Sequence, residues 1–167
     1  MSAIDMNDEQ FVRRDRMRFI NNSQSASLCY LGILLDVFFF VSIYKSDVGT
    51  YYYNILIGAS IVYNLCFMLA VFLASEGVKV YQRSSSYLLL VVGVLQIVRV
   101  FIIPMRAHSA TTVINGEEAL VMHDGQFFRV VAYLVISAVC LIAAALINLK
   151  KASELEAHMK TLGVQNA

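Results

Sequence analysis

Two charged residues stand inside apolar runs, and charge in that setting is where chemistry is first sought. Asp36 interrupts the run LGILLDVFFFVSIY, and Arg99 interrupts YLLLVVGVLQIVRVFII. A charge at the centre of a bilayer costs about 2.5–3.5 kcal/mol on insertion scales, so such residues are rare and mark ion paths, proton relays or buried pairs. Two neutral polar residues, Asn64 and Gln96, lie in comparable settings. Gln96 and Arg99 are three apart and share a helix face. Asp36, Asn64, Gln96 and Arg99 therefore form a candidate intramembrane polar cluster. Two readings are open. In one, Asp36 and Arg99 pair and fix which helix faces meet. In the other, Asp36 is a proton or cation site whose ionisation Arg99 tunes.

A second constellation lies in the segment HSATTVINGEEALVMH. Asn115-Gly116 is a strong hairpin signal, because both residues accept positive φ. A two-residue turn there pairs Ile114 with Glu117, Thr112 with Ala119, Ala110 with Val121 and His108 with His123. Two histidines beside Asp124 would supply three ligands of a possible metal site; the alternative is surface histidines at a strand end. The three cysteines, Cys29, Cys66 and Cys140, all fall in apolar runs without a CxxC, which suits packing better than redox work.

The elements that position these residues follow from composition. Of 167 residues, 59% are apolar and 15% charged, against roughly 45–50% and about 25% in soluble domains. The excess gathers into four runs, 23–44, 51–75, 84–103 and 127–148, each near the length that crosses a hydrocarbon core of about 30 Å. Pro104 is expected to end the third. The segment 105–126 is then the one long loop, 1–22 a basic N-terminal segment and 149–167 a tail expected to continue as a short helix, with Glu156 and Lys160 at i,i+4 spacing.

Lys and Arg set the orientation. Nine fall on one side: Arg13, Arg14, Arg16, Arg18, Lys79, Arg83, Lys150, Lys151 and Lys160. The other side has Lys45, Arg106 and Arg129. Both termini are thus expected to be cytoplasmic, with 105–126 outside. Arg13, Arg14, Arg16 and Arg18 are candidates for lipid-headgroup contact as well as a topology signal. By helical rise, Asp36 lies roughly 20 Å from the cytoplasmic end of its span, Asn64 about 16 Å, Gln96 about 18 Å and Arg99 about 22 Å. The four share one level.

The expected fold is an all-α integral membrane protein of four transmembrane helices, up-down-up-down, with a small β-hairpin in the outer loop between the third and fourth. No protease, hydrolase, P-loop or dinucleotide signature is present, and no His lies within a span, so no enzyme activity, haem or other cofactor is expected. The net charge of +1 gives no field for nucleic acid. The expected function is that of a non-catalytic scaffold or regulatory subunit in the cell membrane, with the bilayer and a protein partner or further copies of the chain as its contacts. The alternative is a small oligomeric transporter or channel with Asp36 as its proton or cation site.

Overall fold

The computed structural model describes residues 19–43, 51–109, 111–114, 117–120 and 122–161. Their elements are α1 (Ser23–Ile43), α2 (Tyr51–Lys79), α3 (Arg83–Ile102), α4 (Pro104–Ser109), β1 (Thr111–Ile114), β2 (Glu117–Leu120) and α5 (Asp124–Thr161). Among the described residues, four helices are long and apolar enough to cross a membrane: Ser23–Ile43, Gly58–Lys79, Arg83–Ser109 and Asp124–Lys160.

These four helices close a ring in which α1 and α3 each pack against both α2 and α5. The outward faces stay apolar. Val62, Leu65, Leu69 and Leu73 of α2 are each about 60% exposed, a pattern that suits lipid as the surrounding solvent. Inside, Cys29, Val71, Leu89, Leu141, Ala144 and Ala145 belong to one apolar cluster, and Phe39, Val130 and Leu134 form a second.

Small residues set the closest approaches, as between helices in lipid. A Cβ on Gly32 would stand 2.9 Å from Leu141 Cδ2, and one on Gly93 2.9 Å from Ile142 Cγ1, so α1 and α3 both close tightly on α5. Beside Gly32, Ser137 donates to the Gly32 carbonyl at 2.9 Å.

The turn from α2 to α3 is a Schellman closure. Gln82 N–H donates to Gly77 O and Tyr81 N–H to Val78 O, at 3.0 and 3.2 Å. Tyr81 holds φ 61°, the left-handed position usually given to Gly. Its ring is buried and meets Phe19 edge-on. The same burial pushes the Tyr81 phenol pKa upward.

Three boundaries differ from the sequence expectation. The second helix runs past Ser75 to Lys79 before this turn. Pro104 does not end helical structure: Ile103 stays in the α region at φ −101°, ψ −60°, and the chain resumes as α4. Proline lacks only a donor, and in a first turn that donor has no required partner. Ala107 N–H then reaches back to Ile103 O at 3.0 Å. Residues 105–109, expected to begin the loop, are accordingly helix. Finally, α5 runs unbroken through Asn148 to Thr161, so the helix expected in the tail is one piece with the fourth long helix rather than a separate element.

Between α4 and α5, β1 and β2 pair antiparallel with Ile114 opposite Glu117 and Thr112 opposite Ala119. Asn115, Gly116, Ala110 and Val121 lie outside the described residues, as do Arg13, Arg14, Arg16 and Arg18.

Candidate functional site: a polar layer and a polar knot

Three of the four intramembrane polar residues meet. Asp36 from α1 and Arg99 from α3 reach each other from helices that face across the ring. Arg99 Nη1 donates to Asp36 Oδ1 at 3.0 Å, and Gln96 Nε2 donates to the same oxygen at 2.9 Å. The spacing 96–99 places both donors on one face of α3, one turn apart. The guanidinium lies over two rings, Phe39 of α1 at 4.3 Å and Tyr63 of α2 at 4.8 Å. Cation–π contact of this kind helps hold a desolvated Arg in place.

The pair is deeply buried: Asp36 is 0% exposed and Arg99 4%. Removing one member of such a pair costs about 3–5 kcal/mol, because the other charge is left uncompensated. Asn64 is equally buried and follows Tyr63 in sequence. No hydrogen bond joins it to the other three; neither end of its amide has a partner among the described residues. Asp36 Oδ2 and Gln96 Oε1 are likewise unpartnered there. Each such buried group costs about 1–3 kcal/mol.

A second polar assembly, at one end of the bundle, was missed by sequence reasoning. Asn22, at the start of α1, donates to Asn148 Oδ1 of α5 at 2.9 Å and to Ser25 Oγ at 2.8 Å. Asn148 Nδ2 donates to Ser86 Oγ of α3 at 2.7 Å and to the Gln82 carbonyl at 3.2 Å. Asn22 N–H donates to the Lys79 carbonyl that closes α2, at 3.1 Å. Lys151 adds bonds to Asn22 Oδ1 and Gln24 Oε1 at 3.2 and 2.8 Å. The knot thus ties all four long helices through paired donors and acceptors. The one available signal was that Asn22 and Asn148 both sit at span ends, where polar residues are ordinary and draw no notice.

The histidine constellation does not assemble. His108 lies on α4 rather than at a strand end, and its ring stacks on Phe127 at 4.5 Å. Its Nε2 is 3.7 Å from Asp124 Oδ1. His123 is exposed and contributes its carbonyl to the first turn of α5, accepting from Gln126 and Phe127 N–H. Among the described residues no group of three or more His, Cys, Asp or Glu side chains converges as metal ligands would. The helical turn after Pro104 is the reason: it moves His108 off the strand register that the pairing with His123 required.

Compared with models of protein families, with curated proteins and with solved structures, the chain matches none.

Proposed function

We propose that the chain is a non-catalytic, four-span membrane subunit that scaffolds or regulates a larger membrane assembly. In this reading the helices run up-down-up-down with both termini cytoplasmic, as the nine-to-three distribution of Lys and Arg argues. The end carrying the Asn22–Asn148 knot is then the cytoplasmic end, and the β1–β2 pair faces outside.

The observation that carries the reading is the occupancy of Asp36 by Arg99 at 3.0 Å. The carboxylate's charge is used within the bundle to set how α1 and α3 meet, which leaves less for work on a passing ion. The broad apolar faces of α2 and α3 leave surface for a membrane partner as well as for lipid. The alternative, an oligomeric transporter or channel with Asp36 as proton or cation site, draws on the free Asp36 Oδ2. Arg99 on the other oxygen of the same carboxylate weighs against it, because a further cation would add to a charge already compensated.

The test is purification of the full chain from its native membrane in mild detergent, followed by mass determination. The expected result is a stoichiometric complex with a second membrane protein. A homo-oligomer that by itself conducts or exchanges ions in proteoliposomes, with activity lost in Asp36→Asn, would overturn the proposal in favour of the alternative.

A further inference from the structure

The polar layer is less complete than a purely internal clasp should be, and what it lacks has a definite chemistry. Both donors that reach Asp36 converge on Oδ1, leaving Oδ2 without a hydrogen-bond partner among the described residues. An Arg–carboxylate contact at its strongest is a two-pronged fork using both oxygens. Gln96 Oε1 and both ends of the Asn64 amide are bare as well. Asp36 and Gln96 are 0% exposed and Asn64 1%, so bulk solvent does not reach them.

They also stand at one height. The knot joins residue 22 of α1, the carbonyl of residue 79 of α2 and that of residue 82 of α3. Counting inward, residues 36, 64 and 96 each lie about 21–23 Å along their helices at about 1.5 Å per residue. The guanidinium is held over the Phe39 and Tyr63 rings, so Arg99 cannot swing to cover the whole layer without losing those contacts.

We infer that this layer is a binding site for water: one or more molecules held between Asp36 Oδ2, Gln96 Oε1 and the Asn64 side-chain amide, enclosed at the centre of the bundle. On Asp36, Asn64 and Gln96 the bare atoms are three oxygens that accept and one nitrogen that donates. The ligand must therefore mainly donate while also accepting, in a small space. An anion would meet three acceptor oxygens and the Asp36 carboxylate. A cation is disfavoured because Arg99 already balances Asp36, and a second positive charge in the bilayer interior would stand uncompensated. A neutral molecule that donates twice and accepts twice fits, and buried waters typically make about three such bonds to polar groups otherwise unmatched. Enclosed water solvates the second oxygen of Asp36 and so favours the ionised pair over a neutral one.

The experiment is water-edited solid-state NMR on the full chain in lipid bilayers, following magnetisation transfer from water to labelled side chains. The Gln96 and Asn64 side-chain amides are expected to receive it at least about threefold faster than the Leu89 and Leu141 methyls, which sit in the dry core. Transfer to the amides as slow as to those methyls would overturn the inference. Exchange of choline chloride for sodium chloride is expected to leave the Gln96 amide signal in place; a sodium-dependent shift would overturn water in favour of a cation. In Asn64→Leu, transfer to Gln96 is expected to fall at least about twofold, with the Asn148 amide signal unmoved as the check that the fold is intact. Unchanged transfer in that folded variant would overturn the shared site. Should that variant not fold, Asn64→Ala supplies the same comparison with a smaller change of shape.

Discussion

At the residue scale, the contrast between two polar assemblies separates register from chemistry. The Asn22–Asn148 knot joins four helices with matched donors and acceptors; the Asp36–Arg99 layer keeps three side chains partly bare. Asp36→Leu or Arg99→Leu alone is expected to cost about 3–5 kcal/mol, each leaving a buried charge without its partner. The double change Asp36→Leu with Arg99→Leu is expected to be closer to wild type than either single, read from denaturant or thermal unfolding in micelles. Exchanging the two, Asp36→Arg with Arg99→Asp, is expected to recover only part of the loss, because an Arg at 36 forfeits the seat over Phe39 and Tyr63. Asn148→Leu is expected to cost about 2–4 kcal/mol in the same assay, since it strands Asn22 and Ser86 at once. Sequence alone exposed the Asp36–Arg99 contact because charge in an apolar run is rare and helical rise gives its depth. It hid the knot because an asparagine at a helix end has an ordinary explanation already.

At the element scale, run length was sufficient to find four membrane-length helices, and local chemistry was insufficient to end them. Ser75 and Glu76 read as a span boundary, yet α2 continues to Lys79, where Tyr30 and Lys79 both bond the Glu76 carboxylate. Polar residues at the bilayer surface interrupt hydropathy without interrupting backbone hydrogen bonds, and the fourth helix passes residue 148 for the same reason. The α2–α3 turn is the tightest joint. A Cβ on Gly77 would fall 1.9 Å from Ser85 Oγ and 2.8 Å from Ser85 Cβ, whereas one on Gly58 meets nothing within 4 Å. Gly77→Ala is expected to destabilise by about 1–3 kcal/mol, through displacement of α3. Gly58→Ala is expected to be neutral or to stabilise by up to about 1 kcal/mol from helix propensity alone. Unfolding midpoints of the two variants, measured side by side, check both.

At the scale of the whole molecule, the proposed threading and the length of α5 make one joint prediction. Its 38 residues extend about 57 Å, nearly twice a hydrocarbon core of about 30 Å. The part beyond Asn148 therefore stands outside the lipid, held beside the bundle where Arg83 donates to Glu156 at 2.8 Å. With both termini cytoplasmic, Ser153→Cys is expected to resist a membrane-impermeant thiol reagent in intact cells and to react after permeabilisation. Ser109→Cys is expected to react from outside without it. The native thiols all lie within spans, Cys29 and Cys140 buried there, and provide the unlabelled baseline. The reverse labelling pattern would invert the threading.

The distance in sequence between the paired charges also has a consequence in time. Asp36 and Arg99 are 63 residues apart. At a synthesis rate of about 5–20 residues per second, the carboxyl of α1 leaves the ribosome roughly 3–13 s before the guanidinium it will meet. Asn22 waits about twice as long for Asn148, 126 residues on. For that interval the first helix carries an acid with no counterpart, so it must lodge in a protein-lined or hydrated setting until α3 arrives. Nascent chains halted at residue 82 are expected to crosslink through α1 to the insertion machinery, and chains halted beyond α3 to have let go.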